Sequence, residues 1–123
     1  MKVLVTLCLS IMLFSCSKTE PDVVLNADEF NNEIKSGATL LDVRTPEEYS
    51  EGHIANSMNI DIKNPSFEEN LSMLDKSKTY AVYCASGVRS GKASDLMREK
   101  GFSSVYTLEG GIKTWKEKGL PLE

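Results

Sequence analysis

Five short apolar runs, separated by stretches that carry helix caps, limit this chain to few architectures. The runs are Val23–Leu25, Thr39–Val43, Ser57–Ile60, Thr79–Tyr83 and Ser104–Leu108. Asn26, with Glu29 three residues on, forms a capping box and predicts a helix to about Lys35, ended by Gly37. Thr45-Pro46-Glu47-Glu48 starts a second, short helix with proline at its first position, ending near Gly52. Ser66–Leu74, with Phe67, Leu71 and Leu74 apolar, reads as a third. Arg89–Lys100, stopped by Gly101, and Ile112–Lys118, closed by Gly119 and Pro121, are the last two. Strands alternating with helices predict an α/β fold. Its central parallel sheet of about five strands is covered by helices on both faces, giving three layers.

A length of 123 residues leaves room for one domain. The formal net charge of -4 lacks the basic excess of a nucleic-acid binder, so no nucleic-acid partner is expected. The N-terminus stands apart from the domain. Lys2 precedes an apolar run from Val3 to Phe14 in which Thr6 and Ser10 alone are polar, too short to cross a bilayer comfortably as a helix. It ends in Leu13-Phe14-Ser15-Cys16, and the chain turns polar at once from Ser17 to Asp22. This resembles a bacterial lipoprotein signal, in which the cysteine after the cut receives a diacylglyceryl group and becomes the new N-terminus. An ordinary secretory signal or a short apolar helix is the alternative reading.

The resemblance implies a signal peptide at 1–15, lipidation of Cys16, a tether at 16–22 and a domain at 23–123. It also implies an extracytoplasmic protein, lipid-anchored to a bacterial membrane and facing the periplasm or the exterior. Removing 15 residues from 123 leaves 108, and the loss of Lys2 takes the charge from -4 to -5. Of the three cysteines, Cys8 leaves with the signal and Cys16 carries lipid, so Cys84 is the free thiol.

In a parallel α/β sheet, ligands bind beyond the carboxyl ends of the strands, where loops enter helix N-termini. Cys84 lies at such a place. It follows Tyr80-Ala81-Val82-Tyr83 and precedes Ala85-Ser86-Gly87-Val88-Arg89-Ser90. Small residues and a glycine allow the loop to curl so that several backbone N–H groups point inward. These groups, the helix N-terminus and the Arg89 charge all favour a thiolate and attract an anionic substrate. A buried structural cysteine is the competing reading, but it gives no reason for a glycine and an arginine at these offsets.

Three motifs together resemble a single-domain rhodanese, a sulfurtransferase family, across nearly all of residues 23–123. The first is Leu41-Asp42-Val43-Arg44 with Glu48-Tyr49, Gly52-His53-Ile54-Ala55-Asn56-Ser57 and Asn59-Ile60. The second is Cys84-Ala85-Ser86-Gly87-Val88-Arg89-Ser90. The third is Leu108-Glu109-Gly110-Gly111 with Trp115, Gly119 and Pro121. The resemblance implies that Cys84 takes a sulfane sulfur from a small anionic donor such as thiosulfate. The resulting persulfide passes its sulfur to cyanide or a thiol acceptor, which can be a protein. The N–H groups of Ala85, Ser86, Gly87, Val88 and Arg89 would cradle the outer sulfur, and Arg89 would bind the donor's anionic group and lower the thiol pKa. Asp42 and Arg44 would be mainly architectural, with a hydrogen-bond link to the active loop as a further option. No cofactor is implied.

The spacing from Cys84 to Arg89 also separates chemistries. Four residues intervene, whereas phosphatases and arsenate reductases on this fold have one more, widening the cradle for a tetrahedral oxyanion. A persulfide carrier or thiol-redox partner of another protein is the rival to a thiosulfate sulfurtransferase. A non-catalytic binding module of the same fold is a third option, which the presence of Cys84 disfavours.

His53, the one histidine, invites a Cys–His pair, but in its Gly-His-Ile setting it reads as structural. No metal site is expected, because one histidine and one free cysteine supply too few of the usual ligands. Gly110-Gly111 lacks the lysine and spacing of a phosphate loop and reads as a tight turn. Ile112 and Trp115 read as core, and Lys113, Lys116 and Lys118 as a solvated face.

Overall fold

A computed structural model describes residues 23–123; the expected signal peptide, tether and Cys16 lie outside the described residues. The chain forms β1 (Val24–Leu25), α1 (Ala27–Lys35), β2 (Thr39–Asp42), α2 (Pro46–Glu51), β3 (Met58–Asn59), α3 (Phe67–Ser72), β4 (Thr79–Tyr83), α4 (Val88–Glu99), β5 (Ser104–Leu108) and α5 (Gly111–Glu117). Both expected capping boxes are present, Asn26 with Glu29 on α1 and Thr45 with Glu48 on α2. All strands pair in parallel, in the order β1-β5-β4-β2-β3. The three-layer α/β architecture expected from the sequence is the one observed.

The middle strand shows why its sequence is continuously apolar. Tyr80, Val82 and Cys84 join a cluster with Phe67, Leu71, Ala93 and Met97 from α3 and α4. Ala81 and Tyr83 point the other way, into a second cluster with Phe30 of α1 and Ile112 and Trp115 of α5. A strand buried on both faces has no polar side to alternate with. Phe30 meets Trp115 edge to face at 6.3 Å, and the Trp115 indole N–H donates to the Pro121 carbonyl at 2.9 Å, so Trp115 serves the core as expected.

Strand order places the site. After β2 the chain moves outward to β3, and after β4 it moves the opposite way to β5. β2 and β4 are neighbours, so a crevice opens between their carboxyl ends at the point where the order reverses. One rim carries the segment after Asp42 and the other the segment after Tyr83.

A buried ion pair frames the first rim. Asp42 is fully buried and Arg44 is 4% exposed. The Asp42 carboxylate accepts from the Arg44 backbone N–H at 2.9 Å and from Nε and Nη2 at 2.7–3.1 Å. Arg44 Nη2 also donates to the Gly52 carbonyl at 2.8 Å, and the Asn59 amide donates to the carbonyls of Asp42 and Arg44 at 3.0 and 2.9 Å. Two donors on the guanidinium edge and a backbone N–H thus fold residues 42–44 around one carboxylate. Asp42→Ala leaves the Arg44 charge buried without its partner and is expected to cost about 3–5 kcal/mol. Denaturant unfolding checks this; a loss under about 1 kcal/mol would contradict it.

Candidate active site

The loop after β4 closes around its own cysteine. Cys84 is 1% exposed, and its Sγ accepts the Gly87 N–H at 3.1 Å. Gly87 makes this possible by adopting φ +104°, a left-handed conformation that costs an L side chain strain. It is the N-cap of α4, and no side chain caps that helix. The first-turn N–H groups of α4 have no intrahelical acceptor, and the backbone of Ser90 favours the charged form of the sulfur. Ser90 is fully buried, with its hydroxyl 3.5 Å from Sγ and donating to the Gly87 carbonyl at 3.1 Å.

Gly110 and Gly111 do more than make a turn. A Cβ at Gly111 would lie 2.5 Å from the Ala85 carbonyl carbon and 2.6 Å from the Cys84 carbonyl oxygen. Without one, the α5 backbone approaches the loop closely. The Ile112 N–H donates to the Cys84 carbonyl at 2.9 Å and the Lys113 N–H to the Ala85 carbonyl at 3.4 Å. With these carbonyls drawn toward α5, loop N–H groups face the sulfur.

Burial pushes the Cys84 thiol up, and hydrogen bonds from the Ser90 side chain and from the N–H groups of Ser90, Gly87 and Ser86 push it down. The hydrogen bonds win, leaving the thiol below its ordinary range. In the thiol the S–H faces Ser90 Oγ, and after deprotonation the Ser90 hydroxyl can turn to donate to the sulfur.

Arg89, expected from the sequence to bind the donor's anionic group, is paired with a carboxylate of the chain itself. Its Nη1 and Nη2 donate to the two carboxylate oxygens of Glu48 at 2.7 and 2.9 Å. This bridge spans the crevice from the first turn of α4 to the first turn of α2. Glu48 is in turn held by the capping box, with the Thr45 hydroxyl donating to Oε1 at 3.1 Å. The Arg89 hydrogen bonds, against the effect of burial, hold the Glu48 carboxyl down at about 2. Among the described residues, the Asp42 and Arg44 side chains make no hydrogen bond to the 84–90 loop; Arg44 instead shares with Ala85 and Ser86 the lining of a cleft of about 410 Å³.

Lys113 and Lys116 line the same cleft, together with Glu48 and Glu51. The solvated face assigned to the α5 lysines therefore borders the active loop. His53 is turned elsewhere. It stacks on Tyr49 at 3.7 Å, its Nδ1 lies 2.9 Å from the Tyr49 carbonyl, and its backbone pairs with Glu123. Glu48, Ser90 and Gly111 all lie within the recognised motifs, yet no site role was assigned to them. Adjacency to Cys84 could have singled out Ser90, and proximity of two helix starts at one sheet edge could have singled out Glu48.

Ser90→Ala removes a hydrogen-bond donor from a charged sulfur, an interaction worth roughly 1.5–3 kcal/mol. The pH midpoint of Cys84 alkylation is expected to rise by about one pH unit, given 1.36 kcal/mol per unit. An unchanged midpoint would remove Ser90 from the account.

The sequence and structure have recognisable relatives. The Rhodanese-like domain family matches residues 26–118. A rhodanese-related protein from Thermoplasma volcanium is 40% identical and superposes with a TM-score of 0.74, covering 81% of this chain and 96% of that one. The polysulfide-sulfur transferase homodimer of Wolinella succinogenes is 30% identical at a TM-score of 0.70, covering 83% of this chain and 78% of that one. The tRNA uridine(34) hydroxylase of Yersinia pestis is 40% identical over 110 residues, covering 80% of this chain; the chain spans 30% of the length of that curated relative. These relationships support sulfur-transfer chemistry in general, and the match over most of the described residues establishes that the chain belongs to the rhodanese-like domain family.

Proposed function

We propose that this protein is a thiosulfate sulfurtransferase in which Cys84 carries the sulfur. The observation that carries the reading is a buried Sγ met by the Gly87 N–H at 3.1 Å and by Ser90, at the mouth of the crevice between β2 and β4. In the first half-reaction the Cys84 thiolate attacks the outer sulfur of thiosulfate. A Cys84 S–S bond forms, the donor's S–S bond breaks, and sulfite leaves with the bonding electron pair. The persulfide keeps one negative charge on its outer sulfur, which the N–H groups of the loop stabilise. In the second half-reaction cyanide or a thiolate attacks that outer sulfur, forming thiocyanate or a new persulfide and returning Cys84 as thiolate.

Exposure of 1% at Cys84 favours donors with a small, terminal sulfur. No second cysteine is present among the described residues, so discharge falls to an external nucleophile. The same proposal anchors the domain outside the cytoplasm through a lipid on Cys16. A fully extended seven-residue tether at 16–22 would reach about 24 Å from the membrane surface.

Intact mass is the test. The wild-type protein is expected to gain one sulfur from thiosulfate and lose it to cyanide, with thiocyanate as product. Cys84→Ser should do neither; retained turnover in that variant would overturn the assignment. Protein extracted from membranes should begin at Cys16 and carry a diacylglyceryl group, and an unprocessed, unlipidated chain there would overturn the anchoring.

A further inference from the structure

We propose that Glu48 tunes donor specificity by occupying Arg89, so that the site uses the dianion thiosulfate less well, relative to a singly charged donor, than it would with Arg89 unpaired. This rests on the sulfur-transfer reading and concerns the charge class of the donor.

Arg89 follows Cys84 by five positions, and the Cys84 charge acts on it. It is the cation of the active loop, yet its fork already holds a carboxylate in a bidentate pair at 2.7 and 2.9 Å. The second arginine bordering the cleft, Arg44, is paired with Asp42 in the same way. A dianion entering beside Ala85 and Ser86 therefore finds the loop N–H groups and the ammonium groups of Lys113 and Lys116, but no unoccupied guanidinium. To engage Arg89 it must displace Glu48.

Two features make Glu48 a strong competitor. Its carboxylate is fixed by Thr45 of the capping box, so little side-chain freedom remains to be lost on pairing with Arg89. Its carboxyl is also held at about 2, below an ordinary 4.5. A depressed carboxyl keeps its pairing above the ordinary value and loses it only as pH falls toward the lower one, so the pair is fully formed across neutral pH. The pair is nonetheless displaceable, since Arg89 and Glu48 side chains are 23% and 32% exposed and such pairs are far weaker than buried ones. A donor with one charge, met by the loop N–H groups and the cleft lysines, has no need to displace it.

Thiosulfate and methanethiosulfonate isolate the charge. Both present a terminal sulfane sulfur, and Cys84 attack on either leaves a Cys84 persulfide. Thiosulfate carries two charges and releases sulfite; methanethiosulfonate carries one and releases methanesulfinate, each departing with the electron pair of the broken S–S bond. Persulfide formation on Cys84 is followed by rapid-quench intact mass with each donor.

Glu48→Gln retains an amide oxygen for the Thr45 cap and removes the competing charge. The ratio of kcat/KM for thiosulfate to that for methanethiosulfonate is expected to rise about tenfold, equivalent to about 1.4 kcal/mol, mainly through a lower thiosulfate KM. Glu51→Gln removes the same charge from the same cleft and helix without touching Arg89, and should move the ratio less than about twofold. A ratio that falls or stays constant in Glu48→Gln overturns the proposal, since Glu48 would then only position Arg89. An equal rise in Glu51→Gln also overturns it, in favour of general cleft charge. Failure of both donors to load wild-type Cys84 would instead reject sulfur transfer itself.

Discussion

The close approach of the α5 backbone to the Cys84–Ala85 peptides is the contact on which the active loop depends. It exists because residue 111 has no Cβ; one would sit 2.5 Å from the Ala85 carbonyl. Through this gap the Ile112 N–H reaches the Cys84 carbonyl, and the loop is held with N–H groups aimed at Sγ. Everything chemical follows from that orientation. A cysteine buried at a strand end would ordinarily resist ionisation, because desolvation disfavours the charged form. Here the Gly87 and Ser90 hydrogen bonds replace the lost water, and the thiol falls instead of rising. The same donors that stabilise the thiolate stabilise a persulfide, so one arrangement serves both ends of the cycle.

The two arginine–carboxylate pairs at the crevice have opposite uses, and burial separates them. Asp42 and Arg44 are almost inaccessible, and breaking such a pair leaves a stranded charge at a cost of about 3–5 kcal/mol. That pair shapes the backbone after β2 and does not open. Arg89 and Glu48 are a quarter to a third exposed, and comparable pairs contribute about 1 kcal/mol or less. An incoming anion can compete for that pair. The rim after β2 is thus rigid at residues 42–44 and exchangeable at residue 48, next to the loop that does the chemistry.

Local chemistry was readable from the sequence, and long-range pairing was not. The caps at Asn26 and Thr45 and the apolar runs located every helix and strand within a residue or two, because those signals act within one turn. Cys84 was legible because a glycine and an arginine before a helix start have no structural reason to follow a buried cysteine. The pairing of Arg89 with Glu48 was not legible because Glu48 lies 41 residues away, on a helix that only the β2–β4 pairing brings close. Gly111 looked like half of a tight turn, since nothing local reveals a neighbouring loop. Lys113 and Lys116 follow a helical polar pattern that solvent and a cleft satisfy equally.

The ionisation of Cys84 in the unmodified full-length chain tests the central claim most directly. Thiolate absorbance followed against pH, with Cys84→Ser as the blank, reports that one group. The account predicts a midpoint below that of an ordinary thiol. A midpoint at or above the ordinary value would show that burial dominates and that the loop N–H groups do not solvate the sulfur.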